Sequence, residues 1–467
     1  MEKNTEDAKE LQLRRVLNVQ TATLVVAGTM IGAGVFKKIV PMAATGLSGK
    51  YILLAWVAAG IVTLLGAFTF AGLAKLTTES GGAYEYLRIC YNDVLSFLLG
   101  WACFAIIGSG SIAALAFIFA QSLNALIPIP DLFQQWSSVS VFHFIFPFAD
   151  SGIKIVAIAS IVLLTGYNYL GVKKATALNN IITGAKIAGI IFLIIAGIFF
   201  ENKTPIVAKN FSPGSAPSIQ LFFAAMLSAF WAYDGFSNVS AAAGEIKNPK
   251  KNVAIAIVSG VCIVMALYIL INYAFMHVMP VHQFAAMGEN KIAATEVAGA
   301  LMGNTGRIII SVLIILSTFG ALNVLILLYS RLYYRMAQEN FFFSKAASVH
   351  PKYRTPHLSL FYSMIWSCVL VASGTFDVLT NIVVFSAYTF YTLAAIGLIK
   401  MKTKKVLKEK IPFYPAAPIL FIIFALTLLF YTLLNNTAQS ITGILLVASG
   451  IPFYYFFKNK NKQNENS

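Results

Sequence analysis

The sequence predicts an all-α polytopic membrane protein with twelve transmembrane helices. Three observations carry that prediction. The 467 residues are 58% hydrophobic and only 11% charged, whereas a soluble domain carries about a quarter charged residues. Apolar stretches of about 20 residues recur along the chain, and each is long enough to cross ~30 Å of hydrocarbon. The cations gather in alternate connections, the pattern that sets topology in membranes.

The expected spans lie at roughly 20–41, 51–74, 93–125, 152–170, 178–200, 218–243, 251–276, 305–336, 358–373, 376–399, 414–434 and 438–457. The third exceeds the minimum length and is expected to tilt. Segment 282–300, HQFAAMGENKIAATEVAGA, is too broken to span and reads as a folded loop over the surface. The N-terminus, the even-to-odd connections and the C-terminus, with Lys251, Arg331 and Arg335 at the adjoining span ends, hold 25 of the 34 Lys and Arg. Both termini are therefore expected in the cytoplasm, in a plasma (inner) membrane. The polar start MEKNTEDAKELQLRR does not read as a cleaved signal peptide. The organisation is a cytoplasmic segment 1–19, five spans over 20–200, five over 218–400, a basic loop 401–413, two spans over 414–457 and a tail 458–467. That basic loop reads as a topology determinant that meets anionic headgroups.

The four cysteines (Cys90, Cys103, Cys262, Cys368) form no CxxC pair, so neither a metal site nor a disulfide framework is expected. The net charge of +16 does not indicate nucleic acid, because the cations sit in short loops. No cofactor is implied.

GTMIGAGVF, residues 28–36, places Gly28, Gly32 and Gly34 inside the first span. Each glycine costs a helix interior ~1 kcal/mol against Ala. Gly28-x-x-x-Gly32 fits close helix packing. It equally fits a helix that unwinds where it lines a cavity. A second awkward stretch, WAYDGF at 231–236, puts Asp234 and Gly235 in the middle of span six. Five spans separate the breaks, so two five-span units would run in opposite directions. Interrupted helices at matching positions point to a transporter's binding site. The half-helix starting near Gly34 offers free N–H groups to a carboxylate. Half-helices ending near Met30 and Trp231 offer carbonyls to an ammonium. The shared part of every α-amino acid suits both.

Lys186 lies about ten residues into span five, ~15 Å deep. A cation there costs ~2.5–3.5 kcal/mol, so it needs a compensating role. It is either a fixed charge where a sodium-coupled relative holds its ion or a proton carrier; a structural ion pair with Asp234 is the plain alternative. Asp234 either faces a cationic group of the substrate or caps a half-helix. Glu245 falls near the cytoplasmic end of span six and suits a salt bridge at an inner gate. Lys37 and Lys38 are expected to reach an outer vestibule. Ser317 and Thr318 in span eight either bond back to their own helix or accept from Lys186. The five histidines fall in loops or at span ends and receive no role.

GTMIGAGVF, TGAK in span five, AFWAYDGF followed by GEIKNPKKN, and STFGALN with SRLYYRMAQENFFF in span eight resemble the amino acid–polyamine–organocation superfamily. The likeness covers nearly the whole chain and is strongest to the L-type amino acid transporter branch and its bacterial homologues. It implies a LeuT-type five-plus-five inverted repeat, with discontinuous helices 1 and 6 and two extra C-terminal helices. It implies that Ala33 and Gly34 meet a substrate carboxylate and that the carbonyls of Met30, Trp231 and Asp234 receive its ammonium. The Trp231 ring would be an inner aromatic gate. Lys186, near Ser317 and Thr318, would take the sodium-like position, making transport sodium-independent. The chain departs from the pattern at Ala33, where many members have serine, and at Ser237, where some have Asn or Glu. Animal L-type members join a glycoprotein through a cysteine between spans three and four; loop 126–151 has none, so no covalent glycoprotein partner is expected.

The leading expectation is a secondary transporter of neutral L-amino acids, working by alternating access as an exchanger. A proton-coupled symporter, including one for cationic amino acids, is the alternative. A channel would need rings of charge, and an enzyme a nucleophile with a base, a metal cluster or a phosphate loop; none is legible. No appended domain supports a sensor.

Overall fold

A computed structural model describes residues 17–465 apart from 33, 79–81, 142–145, 171–174, 201–205, 207–209, 212–217, 289–290 and 354, and gives no side-chain environment at 175–182, 242, 244, 245 and 461–465. Residues 1–16 of the expected N-terminal segment and Ala33 lie outside the described residues. The described chain is helical, with one isolated bridge between Leu17 and Ile246. Among the described residues ten helices are long and apolar enough to cross a membrane, and Thr183–Ile198 and His357–Ser373 are shorter apolar helices.

The first apolar stretch divides into α1 (Val19–Met30), α2 (Gly34–Lys37) and α3 (Ile39–Ala44). Asn18 caps α1 by accepting from Thr21 N at 2.9 Å. Then follow α4 (Gly49–Leu73), α5 (Ala83–Cys90), α6 (Asp93–Ala102) and α7 (Gly108–Asn124). The second part of the chain holds α8 (Ser151–Tyr169), α9 (Ala175–Ile198), α10 (Ile219–Tyr233) and α11 (Pro249–Val278). Next come α12 (Val281–Ala285), α13 (Ala293–Gln338), α14 (His357–Ser373) and α15 (Phe376–Thr403). The chain closes with α16 (Ala416–Asn435), α17 (Thr437–Ala448) and α18 (Gly450–Glu465). α1 packs on α11, α10 packs on α4, α15 and α11, and α13 packs on α2.

Three stretches differ from the sequence expectation. Segment 282–300 is largely helical rather than a loop: α12 and the start of α13 bury Phe284, Ala293, Ala294, Val297 and Ala298. Small apolar residues at helical spacing give it a face to bury. Gly303, with φ 64° and ψ −149°, separates this arm from the long helix beyond. The final span is two helices that meet at Ser449 rather than one, and Ser449 Oγ accepts from Trp101 Nε1 at 2.9 Å.

The third difference is a π-helical segment, Cys103–Ile107, between α6 and α7. Such a bulge disturbs the i→i−4 ladder and frees carbonyls. Two side chains from other helices bond to carbonyls of the bulge: Tyr333 OH donates to Cys103 O at 2.9 Å, beside Gly108 N, and Trp366 Nε1 to Ala105 O at 2.7 Å. The bulge therefore fixes α13 and α14 against the third span.

At the end of the bundle nearest the N-terminus, Lys247 N donates to Leu17 O at 2.9 Å. Nearby structure converges on Glu339. It accepts from Tyr84 OH at 2.9 Å and pairs with Arg335 at 3.1 Å and Arg88 at 3.6 Å. Burial, with the Glu339 carboxylate adding to it, pushes the Tyr84 phenol well above its ordinary range.

Replacing Trp366 by Phe keeps the ring and leaves the Ala105 carbonyl unpaired. An unsatisfied buried acceptor costs ~1–3 kcal/mol. The expected result is a lower thermal unfolding midpoint in detergent than that of the parent protein, read by tryptophan-independent dye labelling of exposed cysteines.

Candidate functional site

The site grows from the two interruptions. α1 ends at Met30, where Ile31 turns to φ −72° and ψ 78° and Gly32 N reaches Met30 O at 2.7 Å. α10 ends at Tyr233. Asp234 is extended there, with φ −66° and ψ 159°, and Gly235 takes φ +96°, a conformation that favours glycine. The chain resumes as a 3₁₀ segment, Asn238–Glu245. The breaks touch, because Thr29 Oγ1 lies 3.2 Å from Gly235 O. A methyl on Gly34 would fall 2.8 Å from Ala232 Cα, so glycine there permits backbone contact between the first and sixth spans.

Gly28 is corrected from break to packing residue. It lies inside α1, and a Cβ there would meet Thr183 Oγ1 at 2.9 Å. Gly32 is the glycine in the break, with open space around it save Leu115 and Met30 O at 3.9 Å.

Tyr268 of α11 closes the gap between the half-helices. Its hydroxyl sits 2.7 Å from Met30 O and 3.0 Å from Ala232 O. The ring is buried in edge contacts with Trp56 and a tilted contact with Tyr233, at 5.6 and 5.1 Å. Trp231 O is engaged by Asp234 N at 3.3 Å. The carbonyl pair that one donor can bridge is thus Met30 with Ala232.

Lys186 is 1% exposed, and its Nζ donates to Ile31 O at 3.3 Å, inside the first break. The suggested ion pair with Asp234 is absent: among the described residues no carboxylate lies within 4.0 Å of Lys186. Asp234 Oδ1 instead accepts from Tyr391 OH at 2.7 Å. Ser317 and Thr318 are buried on α13, which packs on α9. Thr318 Oγ1 bonds back to Ile314 O at 2.7 Å, and Ser317 Oγ has no partner. Among the described residues neither hydroxyl is hydrogen-bonded to Lys186, and Thr318 follows the back-bonding alternative. Glu245 ends the 3₁₀ segment one residue before the Leu17–Ile246 bridge; its side chain lies outside the described residues.

Lys37 and Lys38 do not line an open vestibule; they are 0% and 1% exposed. Lys38 Nζ pairs with Asp377 Oδ1 at 2.6 Å and donates to Thr380 Oγ1 at 2.8 Å. Lys37 Nζ donates to Gln121 Oε1 at 2.8 Å. Both amines lie over the Phe376 ring, 4.4 and 4.5 Å from its centroid. That placement lets a shared π-face and polar partners offset the burial of two cations. The Trp231 ring meets Phe376 edge-on at 6.2 Å. Trp231 thus meets the same ring that both lysine amines face.

Tyr268, Tyr391 and Thr29 escaped sequence reasoning. A readable signal existed for the tyrosines. A phenol at mid-span must find a partner for its O–H, and spans seven and ten each contain such tyrosines. Among the described residues no group of three or more His, Cys, Asp or Glu could hold a metal ion.

A family model described as amino acid permease matches residues 17–457. The chain is 32% identical over 456 residues to the serine/threonine exchanger SteT of Bacillus subtilis, covering 96% of this chain and 98% of that one. It is 26% identical over 473 residues to the human b(0,+)-type amino acid transporter 1, covering 98% and 92%. It is 27% identical over 452 residues to the mouse large neutral amino acids transporter small subunit 2, covering 95% and 81%. With two interrupted apolar helices in contact and a family match across nearly its whole length, this chain belongs to the amino acid permease family of multi-pass membrane transporters and is not an enzyme.

Proposed function

We propose that the protein is a sodium-independent exchanger of neutral L-amino acids, built as a five-plus-five inverted repeat of twelve spans and working by alternating access. The observation that carries this reading is Lys186 Nζ held against Ile31 O in the first break. A permanent ammonium there supplies the positive charge that a bound sodium ion would bring. No ion then needs to bind for the broken helix to close. The relatives named as exchangers and amino acid transporters support the substrate class.

In this reading the substrate lies between the breaks. Its carboxylate meets the amides after Gly32, at Ala33 and Gly34. Its ammonium takes the Met30 carbonyl in place of the Tyr268 hydroxyl, with the carbonyls of Trp231 and Asp234 beside it. Trp231, Phe376 and the Lys38–Asp377 pair close the side away from the N-terminus, and Glu245 stands at the other mouth. The termini lie in the cytoplasm, as the Lys and Arg distribution indicates. Proton symport is the second reading, favoured by one observation: Asp234 is bonded to a phenol and not to a cation.

Uptake of labelled serine into vesicles carrying the purified protein tests both. Exchange predicts uptake only with amino acid inside, equal in sodium and in potassium media. Uptake into empty vesicles that follows a pH gradient would overturn exchange in favour of symport. Lys186→Met is expected to lower exchange at least tenfold, because the break loses its charge. Lys38→Met leaves Asp377 without its cation and should loosen the closure at Phe376. A cysteine placed at Phe376 in a cysteine-free background should then react faster with an impermeant maleimide; an unchanged rate would count against a gate there.

A further inference from the structure

The exchange reading leaves one carboxylate without a task. Asp234 ends α10 at the break, with its own amide on Trp231 O. Among the described residues no Lys, Arg or His nitrogen lies within 4.0 Å of it. Ala232, Tyr233, Gly235 and Phe236 are buried, whereas Trp231 and Asp234 keep partial exposure.

Beside the Gly235 amide of its own chain, the side-chain partner of Asp234 is a phenol from a different helix. Tyr391 OH donates to Asp234 Oδ1 at 2.7 Å. The Tyr391 ring is held by edge contacts with Phe70 at 5.4 Å, Phe236 at 5.5 Å and Tyr388 at 5.6 Å. Phe70, Phe236 and Tyr388 are themselves at most 2% exposed. The hydroxyl therefore cannot swing away without moving a packed cluster. An ionised carboxylate accepts only, and a charge-assisted donor is its best partner. A ligand bearing an ammonium or guanidinium on its side chain would supply one, but it must compete with a donor already in place. A ligand with a neutral side chain needs no such competition.

We propose that Tyr391 is a specificity-determining residue. By occupying the Asp234 carboxylate, it biases the site toward amino acids with neutral side chains and against cationic ones. The assignment rests on the amino acid transport reading.

The test is the ratio of labelled lysine to labelled serine transported by vesicles preloaded with unlabelled amino acid. Tyr391→Phe keeps the ring packing and removes the donor. A hydrogen bond to a charged group is worth at least tenfold, so the lysine-to-serine ratio is expected to rise about tenfold or more. Tyr391→Ser, whose hydroxyl is too short to reach and which leaves room for water, should move the ratio the same way and serves if the phenylalanine variant misfolds. In an Asp234→Asn background the rise should vanish. An unchanged ratio in the Tyr391 variants, or an equal rise without Asp234, overturns the assignment while leaving amino acid transport intact. Failure of the parent protein to move any amino acid overturns the transport reading itself, and this assignment with it.

Discussion

A helix interrupted inside lipid exposes backbone groups that water cannot reach, and each costs several kcal/mol unless the protein satisfies it. The rest of this structure answers that constraint. The first and sixth spans break beside one another, and side chains from other helices reach into the breaks. Tyr268 bridges Met30 and Ala232, Lys186 takes Ile31, and Thr29 meets Gly235. Two further spans, the fifth and the seventh, are thereby tied to one pair of gaps. The same bonds can be exchanged for bonds to a ligand, which is why a break is both a liability and a binding site.

Charge follows the same logic. Among the described residues four lysines are buried, and the three beside the interrupted spans are each offset differently. Lys186 uses a backbone carbonyl, Lys37 an amide oxygen and the Phe376 ring, and Lys38 a carboxylate, a hydroxyl and that same ring. The last two belong to the part of the first span that follows the break. They make its position depend on α15, which also carries Tyr391 and so reaches the break of span six. One helix thus contacts both interrupted spans, and a shift of α15 would be felt at Asp377 and at Asp234 together.

The helical membrane class was legible from hydropathy because lipid leaves the chain few options. Both interruptions were legible too, since glycines and an aspartate stand out against apolar runs. Distinguishing Gly28 from Gly32 was not. Both satisfy the small-residue pattern, and only the position of Thr183 makes one a packing residue and leaves the other in the break. The helical arm after α12 was missed because its polar residues hide an alanine face that only the neighbouring helices bury. The two-part final span was missed because its turn at Ser449 carries no strong breaker.

What the sequence determined by itself was the inventory: apolar lengths, the cation pattern, the family likeness and the depth of Lys186 and Asp234. What only the tertiary structure decided was partnership. Depth shows that a charge or a phenol must be compensated, but not by which atom, because compensation is a property of distances between helices remote in sequence. Lys186 lies against a carbonyl rather than Asp234, and Asp234 against Tyr391 rather than a cation. Hydrogen bonds reach about 3 Å, and no periodicity within one span can say what a neighbouring span places at that range.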